Sequence, residues 1–291
     1  MIWTHGASVK AGARLADHAP CDPWRCRLTS STPDQLWSSR SVRLLRPTAV
    51  ACSGLRRRVA GEQLLDGVDL EVAPGARVLL YARPERSASL LLRVLAGLAR
   101  ADGGSMALAG VDEPRAWARR VAYVAPEAEI YPWLAPREVL ELAARLAGLG
   151  RAERPRQIDE VAERYRLVGT MDRPMRRSGP AVSQLTALAA AMLADPEVLL
   201  LDEPLRAVDP DERAGLLAVG GERRTVLLAS RFPATEVGLV NEVVLLRAGR
   251  VAAHLPLDEL ERRGLDLSAR GLARLEAVAP PGSWLSRGDT R

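Results

Sequence analysis

The chain has 291 residues, a mass of 31.5 kDa, a formal charge of +5 and 47% hydrophobic residues. That length buries a full core, and the composition excludes a disulfide mini-protein, a collagen-like chain and a wholly disordered chain. No apolar run approaches the roughly 20 residues that span a bilayer; the longest, Val78-Leu79-Leu80 and Val198 to Leu201, suit buried strands.

Lys10 is the single lysine, and every other cation is arginine. Such a bias, with abundant Ala, Gly and Leu, argues against reading each arginine cluster as a functional patch. Residues 1–50 hold seven cations and three acids, leaving 34 against 33 in residues 51–291. The body is therefore nearly neutral, unlike a nucleic-acid-binding face. Cys21, Cys26 and Cys52 form no disulfide framework, and Cys21-x4-Cys26 has no matching Cys/His pair downstream for zinc. Reduced thiols are the simple reading.

Residues 1–48 lack periodicity and the apolar core of a signal peptide. They read as a disordered extension or a start codon placed too far upstream, with a small docking segment using Trp24 and Trp37 as the alternative. Ala49–Leu55 and Leu64–Val72 read as strands around a turn at Arg56-Arg57-Arg58 and Gly61, with a second break at Asp66-Gly67 and a turn at Pro74-Gly75. Arg77–Tyr81 reads as a strand, Ala82–Ser87 as a polar loop and Ser89–Leu98 as a helix with Leu91, Val94, Leu95 and Leu98 on one face. Strand, loop and helix in that order present helix N–H groups to an anion.

Gly103-Gly104 reads as a turn before a strand at Ser105–Ala109, and Val121–Ala125 as another strand. Pro136–Leu149 and Gln157–Tyr165 read as amphipathic helices of an insert, and Gln184–Leu193 as an Ala-rich helix. Glu197–Leu201 is a buried strand ending in Asp202-Glu203-Pro204. Asp211–Val219 reads as a helix, Thr225–Ser230 and Glu242–Arg247 as strands before a turn at Gly249, and Asp258–Val278 as helical until Pro280-Pro281-Gly282. Alternating strands and helices predict a mainly parallel α/β sheet.

The segments Leu65 to Gly75, Leu95-Ala96-Gly97-Leu98 with Gly103-Gly104, Asp195 to Pro204, Val208-Asp209-Pro210 and Leu246 to Val251 resemble, in order and spacing, the ATPase domain of ABC transporters. Asp195 to Pro204 is a near-complete match to its Walker B strand. The resemblance covers residues 49–255 and implies a P-loop NTPase-like core with an antiparallel β subdomain and a helical insert at about 127–180, followed by a C-terminal extension, 256–291. Tyr131-Pro132-Trp133-Leu134 and Arg145 to Leu149 look most like the drug- or polysaccharide-exporter subgroup. The resemblance implies ATP and Mg²⁺ as ligands, a separate transmembrane permease, a homodimer or a heterodimer with another ATPase domain, and a place at the inner face of the membrane; it implies no nucleic acid.

The departures are concentrated at the ligand positions. The family's G-x-x-x-x-G-K-[ST] falls on Ala82 to Ser89, so its lysine falls on Ala88 and its glycines on Ala82 and Ser87. Pro84 lacks an N–H, and Glu85 brings a negative charge to a polyphosphate site. By resemblance the degenerate phosphate loop is Arg83, Arg86, Ser87, Ala88, Ser89 and Leu90. Arg83 and Arg86 either supply the missing charge or are solvated loop residues. Asp202 and Ser89 would hold Mg²⁺, and Glu203 would be the general base. The adenine-stacking aromatic aligns near Val59, the Q-loop glutamine with Pro126 beside Glu127, and the switch histidine with Arg231. The histidines are His5, His18 and His254. The LSGGQ signature falls on Ser178 to Val182, or one residue off, and neither register gives its glycine pair.

A hydrogen bond to a charged group contributes roughly 1.5–3 kcal/mol, and about 1.4 kcal/mol is tenfold in affinity. Losing the lysine and one or two backbone donors weakens ATP by on the order of 10³-fold. The expectation is an ABC cassette subunit with impaired or absent ATP binding and hydrolysis, acting as a regulatory or structural partner of a permease. The alternatives are an active ATPase that uses Arg83 or Arg86 for the lysine, and a non-transport interaction module or decaying gene product.

Overall fold

The computed structural model describes residues 48–278 except 113–116, 118–119, 129 and 219–222. The leader, with Cys21, Cys26, Trp24 and Trp37, and the expected stop at Pro280-Pro281-Gly282 lie outside the described residues. Among those described, no helix is long and apolar enough to cross a membrane, and no group of three or more His, Cys, Asp or Glu is placed to hold a metal ion. Cys52 is buried, and that burial pushes its thiol up to about 12, which leaves it unreactive.

Three strands form an antiparallel sheet in the order β2-β1-β4: β1 (Val50–Val59), β2 (Glu62–Val72) and β4 (Gly103–Leu108). The expected turn at Arg56-Arg57-Arg58 is instead part of β1, and the reversal comes at Ala60-Gly61. The break at Gly67 is a register shift opposite Leu55 and Arg56, within a continuous β2.

The larger sheet has the order β5-β6-β7-β3-β8-β9. Its strands are β3 (Arg77–Arg83), β5 (Val121–Val124), β6 (Val198–Asp202), β7 (Thr225–Ala229), β8 (Glu242–Arg247) and β9 (Arg250–Pro256). All pairings are parallel except β8 with β9, which is antiparallel. Both faces are covered, which is why its strands read as continuous apolar runs. Leu79, Leu199, Leu201, Val226, Leu228, Val243 and Leu245 bury one face. Val78, Leu80, Val198, Leu200, Leu227, Val244 and Leu246 bury the other. Each fully buried aliphatic side chain contributes about 1.5–3 kcal/mol. The two sheets meet at Gly249, whose carbonyl accepts from the Asp66 N–H at 2.8 Å. Gly249 has φ +74°, and a Cβ there would stand 2.9 Å from Leu64 O and Asp66 N.

The helices are α1 (Arg86–Leu95), α2 (Pro136–Leu146), α3 (Arg154–Arg164), α4 (Gly179–Met192), α5 (Pro210–Leu217), α6 (Leu257–Arg262) and α7 (Ala269–Val278). Three end sooner than the apolar periodicity suggests. At Gly97, Gly148 and Gly264 the glycine N–H turns back on Val94, Arg145 and Glu261, and the next residue's N–H reaches Arg93, Ala144 and Leu260. This is the paired closure of a glycine C-terminus. It ends α1 before Leu98 and α2 before Leu149, and it splits the expected helix at 258–278 into α6 and α7.

Candidate functional site

Parallel sheets bind ligands at their carboxyl edge. Here Ala229 of β7 pairs with Leu80 of β3 on one side and Asp202 of β6 on the other, so the segments after all three strands converge. They border a half-open cleft of ≈ 240 Å³, and Glu85, Arg86, Ser89, Glu203, Arg206 and Arg231 are among its lining residues.

The connection expected to be a loop over Ala82–Ser87 is far shorter. Strand β3 continues through Arg83 and α1 starts at Arg86, which leaves Pro84 and Glu85 between them. The Ser87 N–H donates to Pro84 O and the Ala88 N–H to Glu85 O, each at 3.0 Å. These two donors of the first helical turn are thus closed internally. Glu85 at the N-cap makes no side-chain capping bond.

The expected phosphate-loop residues do not act together. Arg83 does not line the cleft: its Nε donates to the Tyr81 hydroxyl at 3.1 Å and lies 3.5 Å from Glu276 of α7. Arg86 lines the wall but is paired with Glu62 of β2 at 2.5 Å. Ser87 and Leu90 are buried and border no part of the cleft. Ala88 and Ser89 do line it.

The two expected Mg²⁺ ligands come together, because Ser89 Oγ donates to Asp202 Oδ1 at 2.8 Å. The other carboxylate oxygen accepts from the Tyr123 hydroxyl at 3.0 Å. Asp202 is fully buried. Burial pushes its carboxyl above the usual range, against the pull of the two hydroxyl donors. Glu203 has a left-handed backbone, φ +48°, an L-residue strain seen at functional turns. Its N–H donates to Ala229 O at 2.9 Å. Burial raises the Glu203 carboxyl too, and Arg231, whose Nε lies 3.3 Å from Oε1, works against that rise.

The position aligned with the Q-loop glutamine is also occupied by an internal contact. Pro126 O accepts from Gln184 Nε2 at 2.9 Å, and Gln184 Oε1 accepts from Ala207 N at 2.8 Å. One buried amide of α4 thus ties the entry of the insert to the segment after β6. Glu127 and Arg206 pair at 2.7 Å across the same two segments. At the signature position Gly179, φ +81°, opens α4, followed by Pro180. The expected helix at Gln184–Leu193 therefore begins five residues earlier. Val59 is exposed at the end of β1, and His254 pairs with Glu242 on β8, away from the cleft. Periodicity and motif spacing gave no sign of Tyr123, and they placed Arg231 only at the switch-histidine position, without its contact to Glu203. Gln184 carried a signal, as the lone amide in an Ala-rich helix.

A family model described as ABC transporter matches residues 65–206. A daunorubicin resistance ATP-binding protein of Streptomyces coeruleorubidus is 32% identical over 221 residues, 74% of this chain and 70% of that protein. An aliphatic sulfonates import ATP-binding protein of Mesorhizobium japonicum is 33% identical over 79% of this chain and 86% of that protein. A molybdenum import ATP-binding protein of Paramagnetospirillum magneticum is 34% identical over 81% and 67%. Among solved structures, an ATP binding subunit of an ABC transporter superposes with a TM-score of 0.68 at 25% identity, over 79% of this chain and 98% of that one.

Proposed function

The chain belongs to the family of ABC transporter ATP-binding proteins, and from that premise we propose that it is a cassette subunit whose own nucleotide site is impaired or silent. It serves a separate transmembrane permease as a regulatory or structural partner, held at the inner face of the membrane and paired with a second ATPase domain. The helical insert carries the permease contact, by analogy with the family. The relatives are named both as import proteins and as a drug-resistance protein, so an exporter assignment rests on the Tyr131 to Leu134 and Arg145 to Leu149 segments.

One observation carries this reading: the two-residue connection of Pro84 and Glu85, with the Ser87 and Ala88 N–H groups turned onto its own carbonyls. A triphosphate needs converging N–H donors and a cation. This connection offers a proline, a glutamate and donors already engaged, and the residues present do not fit that group. Of the site's chemistry, a bound nucleotide with Mg²⁺ would supply the phosphoryl bond to be cleaved. What the chain's own residues do is hold Asp202 by two hydroxyls and Glu203 by Arg231. An ATPase that uses Arg83 or Arg86 in place of lysine is disfavoured by the Glu276 and Glu62 carboxylates that face them.

Calorimetric titration of the full chain with ATP, with and without Mg²⁺, tests the reading. No heat up to millimolar ATP is the expected outcome. Binding tighter than about 100 µM, roughly −5.5 kcal/mol, with turnover abolished in Glu203→Gln, overturns it in favour of an active ATPase.

A further inference from the structure

Among the described residues, one ion pair is buried on both sides. Arg213 of α5 and Glu236 of the single turn Pro233–Glu236 lie 3.6 Å apart, with side chains 9% and 2% exposed. Neither lines the cleft. Around Glu236 the segment after β7 is gathered in. The Ser230 hydroxyl donates to Glu236 Oε1 at 3.1 Å and accepts from the Phe232 N–H at 3.1 Å. The Thr235 hydroxyl, 3.2 Å from the same carboxyl oxygen, donates to Phe232 O at 2.8 Å. Both chain neighbours of Arg231 are therefore fixed, and Arg231 is the residue that meets Glu203. On the other side of the pair, Arg213 Nη2 donates to Val208 O at 3.4 Å, in the segment after β6.

A pair built for stability has a different geometry. A well-formed arginine–carboxylate pair makes two parallel bonds of about 2.7–2.9 Å. Here Arg213 Nε and Glu236 Oε2 are buried and find no hydrogen-bond partner among the described residues. The desolvation of such a pair commonly exceeds its Coulomb gain, and apolar side chains of similar volume often serve stability as well or better. What the carboxyl group of Glu236 provides, and an apolar side chain does not, is an acceptor at a fixed place for the hydroxyl that orders the turn.

We propose that Glu236 is a positioning residue: its carboxyl group fixes the Ser230 to Phe232 turn so that the Arg231 guanidinium stands against Glu203, and Arg213 ties that turn to the Val208 segment. The Arg231–Glu203 pair cannot set the turn by itself. The Arg231 side chain is 44% exposed, and solvent screening leaves such a pair little energy with which to hold backbone. The order therefore comes from the buried side. The cleft walls that follow β6 and β7 are aligned by one internal contact, with no part of it in the cleft. The wall is built this way whether or not a nucleotide binds, so failure of the silent-site reading leaves it standing.

The test is NMR relaxation of the arginine Nε nuclei in the full chain, with the Arg231 signal assigned by its loss in Arg231→Lys. Two double variants differ only in the acceptor. Arg213→Met with Glu236→Gln keeps an amide oxygen for the Ser230 hydroxyl, and Arg213→Met with Glu236→Met offers none. The order parameter of Arg231 is expected to hold the parent's value in the first. In the second it should fall by at least about 0.2, toward the flexible range below about 0.6. Arg224, whose Nε donates to Pro196 O, should be unchanged in both and marks the loss as local. Equal order at Arg231 in the two variants, parental order there in the second, or a loss shared by Arg224 each overturns the proposal. Should the second variant fail to fold, Ser230→Ala removes the hydroxyl alone. It is expected to loosen Arg231 as well, and parental order at Arg231 in that variant overturns the proposal.

Discussion

Strands β3 and β6 lie on either side of β7 and end at the same edge of the sheet, but they differ in what they have kept. By the proposed assignment the end of β6 carries both acids of the family motif, with a left-handed turn at Glu203, and the end of β3 carries only Ser89 of the phosphate loop. The structure supplies a reason for the difference that does not involve turnover. Asp202 is buried and is the acceptor for two hydroxyls, so its loss would strand polar groups. Glu203 holds Arg231. The β3 connection is solvent-facing, with Glu85 and Arg86 exposed, where substitutions cost little stability. Retained acids at β6 are therefore weak grounds for inferring catalysis.

The sharpest way to break this comparison is to rebuild the β3 side alone. The four-site variant Ala82→Gly, Glu85→Gly, Ser87→Gly, Ala88→Lys restores the lysine, both loop glycines and room for backbone donors. If the β6 side is otherwise competent, ATP affinity should rise on the order of 10³-fold, read by calorimetry. No gain would place the defect on both sides of β7.

The next contrast is in stability. Asp202→Ala removes an acceptor from Ser89 and Tyr123 inside the protein and should cost about 2–4 kcal/mol in urea unfolding. Glu85→Ala, on the β3 connection, should change stability by less than about 0.5 kcal/mol. Similar losses at both positions would mean that the hydroxyl contacts of Asp202 do not explain its retention.

The two regions also differ in how far the sequence revealed them. The β6 strand was legible because its apolar run is bounded by Asp195-Pro196 and Asp202-Glu203-Pro204, and both punctuation and periodicity agree. At β3 the motif spacing aligned the right segment but Ala82–Ser87 read as a loop, because Pro84, Glu85 and three other polar residues resemble one. The short connection follows from pairing of Ala82 and Arg83 with Leu246 and Arg247 of β8, a partner 164 residues away that no local pattern reveals. The helix ends differ from expectation for a single reason. At Gly97, Gly148 and Gly264 the residue just past the glycine is Leu98, Leu149 or Leu265, an apolar side chain that continues the periodicity beyond the true end. In the site, resemblance alone placed Ser89 beside Asp202, and the two do meet. Tyr123 was not legible, and Arg231 was legible only as the position of the switch histidine, because the contacts these two make depend on distances across the sheet.

A pH series sharpens the contrast further. Burial raises both the Asp202 and the Glu203 carboxyl above the usual range. Between the unfolded and the raised folded values, the native state binds more protons than the unfolded state. Stability from these groups therefore falls as pH rises through that interval and is recovered on acidification. In the double variant Asp202→Asn, Glu203→Gln, urea midpoints should fall less than those of the parent as pH rises from about 4 to about 7. A double variant that tracks the parent would mean the β6 acids are not destabilised by burial.

The smallest effect is expected where the two sides are bridged at the surface. Arg206 and Glu127 pair at 2.7 Å, but their side chains are 38% and 78% exposed. Water screens such a pair and side-chain entropy opposes it, so Arg206→Ala should cost at most about 1 kcal/mol. Gln184 joins the same two segments from inside, with its amide buried and bonded to Pro126 O and Ala207 N. Gln184→Leu strands both backbone groups and should cost about 1–3 kcal/mol. If the surface arginine proves the costlier loss in urea unfolding, then the insert is held to the core by charge at the rim of the cleft, and the buried amide plays the smaller part.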